Sequence, residues 1–434
     1  MPSAPLPSTM SPVRSSGWLI AFLLSFGPTV SNSFARFAYA LVLPAMREDL
    51  AIGWSEAGTL GTTNAIGYLV GALLARGWVN RLGNRPIFAL GMVLTALALL
   101  ATGLTRDLML LNLWRVLAGV GGAWVFICGG ALSGNIFPGE PQRATTTIAI
   151  YFAGGGFGLV LCGLTLPWLL ETQGAAAWPW AWQAMGVVAM LMAVASILAA
   201  WRILEPGTVA GRPAPMPGSA AAPVSAATPV ASTPPGARTA QGSALRLLPA
   251  QALAYACFGL GYIGYMTFVI AWVRAHEGGT GLVMLLWCAL GLATLAAPRL
   301  WAGPCERWPG GRPMAAVMAM LATAALLPMM SASAPAMLIS ATLFGASMFS
   351  APSAVSSLIK HAFPKPRWGE AMASFTVVFG LSQIAGPVAI GWVADQTGSL
   401  QPGLLASGLV LAAGALIALA QRPVAAPAAG GPLR

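Results

Sequence analysis

The sequence predicts an all-α polytopic membrane protein, with twelve transmembrane helices in two pseudo-symmetric six-helix bundles. Three observations carry this. Hydrophobic residues make up 57% of the 434 positions and charged residues only 8%, against about 25% charged in soluble domains. The apolar residues gather into twelve segments long enough to span a bilayer. Short polar motifs recur at matching places in the two halves of the chain.

The twelve segments run Trp18–Met46, Trp54–Val79, Pro86–Leu104, Leu108–Phe137, Gln142–Leu170 and Trp180–Leu204, then Leu245–Arg274, Thr280–Trp301, Arg312–Met330, Pro335–Ala362, Trp368–Ala394 and Gln401–Ala420. Charge, Gly or Pro marks most of the breaks between them: Arg47-Glu48-Asp49 closes the first, Gly83 and Pro86 separate the second from the third, and Glu140-Pro141 precedes the fifth. Residues 205–244 are rich in Pro, Ala, Ser and Gly and nearly free of large apolar side chains. Such a stretch cannot bury enough surface to fold, so it is predicted to be a flexible cytoplasmic linker between bundles at 18–204 and 245–421. Residues 1–17 and 422–434 are predicted to be disordered tails. The first apolar run is too long for a signal-peptide core, so no cleavage is expected.

The net charge of +11 does not point to nucleic acid, because the charges punctuate apolar segments and never cluster with aromatics. They give an orientation instead. With both termini inside, 17 of the 22 Lys and Arg residues fall on the cytoplasmic side, and only Arg47, Arg106 and Arg274 on the other. This is a strong positive-inside bias, and it places the chain in a plasma (inner) membrane in contact with lipid. Cys128, Cys162, Cys257 and Cys288 lie in apolar runs and Cys305 in a predicted loop. None has metal-ligand spacing, and buried thiols are the expectation. No metal or cofactor is implied.

The two remaining basic residues, Arg36 and Arg115, lie inside helices. Arg36 is roughly 15 Å in from Arg47 by the ~1.5 Å rise per residue, about half of a ~30 Å hydrocarbon core. Arginine stays charged there, and exposing it to lipid costs at least ~2.5 kcal/mol, so it should face a bundle interior or a wet cavity. Its planar fork of donors suits a carboxylate or phosphate. The plainer alternative is a structural arginine bonded to backbone carbonyls or to Asn32. Asn32 and Tyr39, one turn either side, share its face. Arg115 lies at a similar depth in the fourth helix.

The halves repeat. Gly77, Asn80, Arg81, Gly83, Arg85 and Pro86 after the second helix match Gly303, Glu306, Arg307, Gly310, Arg312 and Pro313 after the eighth, with one extra residue. Glu171 to Gly174 ends the fifth helix as Asp395 to Gly398 ends the eleventh. Two six-helix repeats around a central site are the plan of an alternating-access carrier.

These residues resemble the major facilitator superfamily. The Gly77–Pro86 loop is similar to that family's signature loop between helices two and three, with Asn80 where the family usually carries Asp and Asn84 where it often carries Arg. The family's Asp is associated with a conformational charge relay, so the resemblance implies a weakened relay here. Leu113 to Ala123, with Arg115, Gly119 and Gly121, resembles the family's fourth-helix motif and implies a role for Arg115 in proton coupling or substrate charge; an interhelical structural bond is the alternative. Arg36 to Met46, and Gly386-Pro387 through Gly391 to Asp395, look similar to the YbfB/YjiJ-like branch. That resemblance brings no substrate with it.

Partners from the second half are Tyr262 and Tyr265, on a helical stripe with Tyr255, and Gln383 in the eleventh helix. Each could wall a substrate site or simply pack. Asn64, Tyr68 and Tyr151 are further polar groups at membrane depth. Ser350 and Ser353 flank Pro352, where a kink would free carbonyls. The positions matching Arg36 and Arg115 in the second half are Ile263 and Ala341, so the cationic site belongs to the first half. No Asp, Glu, Lys or His falls in the centre of any predicted helix.

The expectation is a monomeric secondary transporter of a small solute, an organic anion, with a proton as a candidate coupling ion. A multidrug or metabolite effluxer with an aromatic pocket is the alternative, and a transporter-like sensor or scaffold a third. No nucleophile–base pair or metal cluster suggests an enzyme.

Overall fold

The computed structural model of the chain describes residues 12–205, 241–276, 278–364 and 367–424. Twelve helical spans, labelled α1–α12, account for nearly all of it: α1 Ser16–Leu50, α2 Trp54–Leu82, α3 Asn84–Thr102, α4 Leu108–Gly134, α5 Pro141–Gln173, α6 Trp178–Ala200, α7 Pro249–Ala275, α8 Thr280–Arg307, α9 Arg312–Met330, α10 Ala334–Ala362, α11 Trp368–Thr397 and α12 Gln401–Leu419. Eleven of these are long and apolar enough to cross a membrane. The exception is α2, whose 29 residues include Glu56, Thr59, Thr62, Thr63 and Asn64. Three of those groups bond to other helices: Thr62 to the Ile384 carbonyl of α11, and Thr63 and Asn64 to the Asn112 side chain and the Arg115 carbonyl of α4. The stretch of α2 that packs on protein need not be as apolar as a face turned to lipid.

The pairing of helices repeats between the halves. In the first half α2 packs on α4, α3 on α6 and α1 on α5; in the second α8 packs on α10, α9 on α12 and α7 on α11. The halves meet along α2–α11 and α5–α8, and where the last part of α1 crosses α7. The ends at Glu205 and Gln241 lie on one side, here the linker side; the opposite side is the far side.

Four local features depart from the sequence reading. The helix leading into α1 starts at Pro12, ahead of the expected Trp18, and a short helix at Gln241–Leu247 begins inside the expected linker. The rest of that linker and most of both tails lie outside the described residues. Helix α8 continues to Arg307, so Cys305 is helical and buried rather than in a loop. And α1 is not α-helical throughout: Thr29–Phe37 is a π-helix, with the Ala38 amide donating to the Ser33 carbonyl five residues back. Helix α10 breaks at Phe349–Ser350, with Pro352 starting the second piece, where its missing N–H costs nothing.

Candidate functional site

The π-helix positions Arg36. Its wide turns carry Arg36 to the seam between the halves, where the guanidinium donates to the Gln383 side-chain oxygen of α11. Tyr262 of α7 lies close enough to interact with its charge. The cation also sits 5.4 Å from the Tyr68 ring centroid and 5.7 Å from that of Phe37. Arg36 is half-buried, whereas Gln383 is fully buried with its amide nitrogen unpartnered. A buried donor without an acceptor costs about 1–3 kcal/mol, so the seam is poised to take up an acceptor. Thus the bond goes to the other half, not to Asn32 or to a backbone carbonyl.

Arg115 is placed differently. It is only 2% exposed. Its Nε donates to the Leu60 carbonyl at 3.0 Å and Nη1 to the Ala35 carbonyl at 2.5 Å. Its guanidinium stands 4.9 Å from the Tyr39 ring and 5.5 Å from the Trp182 ring. Arg115 therefore ties α4 to α1 and α2, and two of its donor positions are occupied. Tyr39 in turn donates to the Ala57 carbonyl at 2.6 Å, anchoring the helix on both sides of Arg36.

A narrow pocket joins these groups, lined by Arg36, Tyr39, Asn64 and Arg115 from the first half and Ile263, Met266 and Thr267 from the second. Asn32 is buried but outside this lining. Tyr265 is also elsewhere: its hydroxyl meets Ser340 at 2.5 Å and its ring stacks 4.4 Å from Phe344, so it faces the core of its own half. A hydroxyl buried in apolar surroundings needs a partner, and Ser340 provides it.

Helix α11 brings the motif residues together. Gln383, Pro387, Gly391 and Asp395 are four apart, so they share one face. That face lies against α2. A side chain at Gly391 would collide with the Trp54 carbonyl. At the far-side end Asp395 accepts the Trp54 and Ser55 amides and the Ser55 hydroxyl, with Arg47 stacked 3.9 Å from the Trp54 ring. Gly386 packs on the Leu260 carbonyl of α7. On the linker side Gly77, Asn80 and Arg81 are exposed. Gly83 takes φ 87°, which suits only glycine. The amides of Asn84 and Arg85 donate to Glu205 at 3.3 and 3.0 Å. Asn80 replaces the family's carboxylate, and the carboxylate that caps α3 comes from Glu205.

Sequence reasoning missed the partners of Asp395 and the cap from Glu205. It also passed over Phe379, which stacks 5.9 Å from Tyr262. The four-residue spacing of Gln383, Pro387, Gly391 and Asp395 was the available signal.

Residues 29–419 match the family described as "Uncharacterised MFS-type transporter YbfB". The chain belongs to the major facilitator superfamily. It is similar to the protein spinster of Drosophila melanogaster, 29% identical over 44% of this chain and 31% of that protein. Against nitrate transporter 2.2 of Chlamydomonas reinhardtii the identity is 27%, over 42% of this chain and 36% of the relative. Against the gallate transporter of Pseudomonas putida it is 24%, over 49% and 45%. The chain thus spans less than half the length of each of these relatives. The fold is like that of a bacterial homologue of the human lysosomal transporter Spinster, solved inward-facing and unoccupied, with a TM-score of 0.64, 15% identity and cover of 95% of this chain and 96% of that one. This superfamily member is a multi-pass membrane protein of a transporter family.

Proposed function

We propose that this transporter moves a small organic anion by alternating access, with Arg36 as the residue that holds it. One observation carries the reading: a guanidinium at mid-depth, on the seam between the halves, whose partner in the opposite half is the neutral amide of Gln383. A buried charge normally has a counter-charge, and here the substrate supplies it. Binding would then draw the halves onto one ligand, since Arg36 and Gln383 come from opposite sides. The names of two relatives, a nitrate and a gallate transporter, agree with an anionic cargo. We place the carrier in the inner membrane as a monomer, with the linker and both termini in the cytoplasm, as the distribution of basic residues directs. The substrate-binding set is Arg36, Gln383 and Tyr262, with Tyr39 and Arg115 holding Arg36 in position.

The test is a binding titration on detergent-purified protein with melting curves alongside. Arg36→Ala should fold and melt near wild type while losing anion affinity roughly 30-fold or more, the size of a charge-assisted contact of ~2–5 kcal/mol. Arg36→Lys should recover only part, because it keeps the charge and loses the fork. Unchanged anion affinity in a stable Arg36→Ala protein overturns the reading and favours an effluxer with an aromatic pocket.

A further inference from the structure

We infer that this carrier is an exchanger: it closes its linker side over Arg36 only when an anion is bound there, so one anion leaves for each that enters and no proton travels with either. This rests on the anion reading above and adds the mode of transport to it.

The groups that face the Arg36 cation are the rings of Phe37 and of Tyr68 in α2, Tyr262 of α7 and the neutral Gln383 amide of α11. The pocket it shares with Tyr39 and Asn64 holds a second guanidinium, that of Arg115, and no acid. The chain has none to offer at this depth. All 11 acidic residues and both histidines lie at the ends of spans or between them. Arginine stays charged at any usable pH and tyrosine titrates far above neutrality, so no side chain of the seam passes a proton during turnover.

Arg115 is buried and already bonded to carbonyls. The charge whose surroundings change is that of Arg36, which is partly exposed although it stands at mid-depth. On its far side the halves are sealed: Thr62 bonds the Ile384 carbonyl, Gly58 lies against the Pro387 carbonyl and Asp395 caps α2. The exposure of Arg36 therefore opens to the linker side. Closing that side takes the cation out of water with only a neutral amide as partner. Burying an unpaired charge is far costlier than burying a paired one. A bound anion supplies the pair, and the closure goes forward. The empty carrier meets the same cost on its return, so it waits for another anion. Each cycle then swaps one monoanion for another and moves no net charge.

Two measurements on the full-length protein test this. The first needs no ligand: pulsed electron resonance between spin labels at Gln142→Cys in α5 and Glu306→Cys in α8, both exposed at linker-side ends. Empty wild type should show the long distance. Arg36→Ala removes the charge and Gln383→Glu pairs it, so each should raise the population of a shorter distance roughly tenfold or more at neutral pH. Gln383→Leu should stay open. Empty wild type that closes as readily as Arg36→Ala and Gln383→Glu overturns the inference. The second measurement uses gallate, a monocarboxylate too polar to leak quickly through lipid, loaded into proteoliposomes. Its release into buffer containing gallate should exceed its release into anion-free zwitterionic buffer roughly 100-fold, with no change on adding a protonophore. Equal release into both, still dependent on Arg36, overturns exchange and leaves the anion reading standing. Release that survives Arg36→Ala, or no release from wild type, overturns the anion reading and the inference with it.

Discussion

The Asp395 carboxylate, at the end of α11, closes on Ser55 in the first turn of α2: it accepts the Ser55 amide at 2.8 Å and also bonds the Ser55 hydroxyl, and the Trp54 amide joins at 2.7 Å. An anion at a helix N-terminus satisfies donors that have no partner in the helix and meets the positive end of its dipole. This cap is supplied by the opposite half of the molecule, so the far side cannot open without breaking it.

Asp395→Asn should therefore favour opening on the far side. An exposed cap is worth about 1 kcal/mol, so the open population should rise roughly fivefold. Pulsed electron resonance between spin labels at Glu48→Cys and Gln396→Cys, both exposed, would read it as growth of a longer distance. An unchanged distance distribution would show that the cap does not hold the far side shut.

Gly391→Val should act in the same direction by crowding. Its side chain would meet the Trp54 carbonyl, and overpacking costs about 1–3 kcal/mol. The same label pair should report a larger shift than with Asp395→Asn, in a protein that still purifies.

Gln383→Glu should place an internal carboxylate against Arg36 and compete with the substrate. Anion affinity should fall by tenfold or more at neutral pH. It should return as pH drops through the titration of the introduced acid, because the protonated acid releases Arg36. Gln383→Leu, which brings no charge, should weaken binding with no such pH dependence. Titrations of the two variants across pH would decide.

Arg115→Ala should cost stability before it costs specificity. It removes two charge-assisted bonds to carbonyls, worth about 1.5–3 kcal/mol each, so the melting temperature should fall by several degrees. Arg115→Lys should restore less than half of the loss, since a lysine cannot reach Ala35 and Leu60 with one rigid fork. A normal melting curve with selective loss of anion binding would assign Arg115 to the substrate.

Reporter fusions after Gly83, within residues 213–243 and at the C-terminus should all report cytoplasm. One periplasmic report would break the assigned orientation.

The spans were legible in the sequence because each is a long apolar run closed by charge, Gly or Pro, and because the Gly77–Pro86 loop recurs at Gly303–Pro313. The depth of Arg36 was legible for the same reason: it is a count of residues. Its partner was not, since Gln383 lies 347 positions away and either side chain could have paired elsewhere. The two uses of the buried arginines could not be told apart either. Arg115 bonds to backbone carbonyls, and every residue offers one of those. Asn32 was placed beside Arg36 by α-helical spacing, which does not hold in Thr29–Phe37, whereas Tyr39, just past that stretch, does line the pocket with Arg36.

That π-helix has a consequence for grafting pieces between relatives. A stretch of wider turns changes the rotation accumulated along α1, so Tyr39–Leu50 emerges on a different bearing from the one an α-helix of equal length would give. A chimera that replaces Thr29–Phe37 with a plain α-helical segment of the same length would keep every residue name downstream and still turn Met46 and Arg47 away from Trp182 and Trp54, their present neighbours. Restoring the bearing would take a one-residue deletion, so a shorter graft should outperform an equal one.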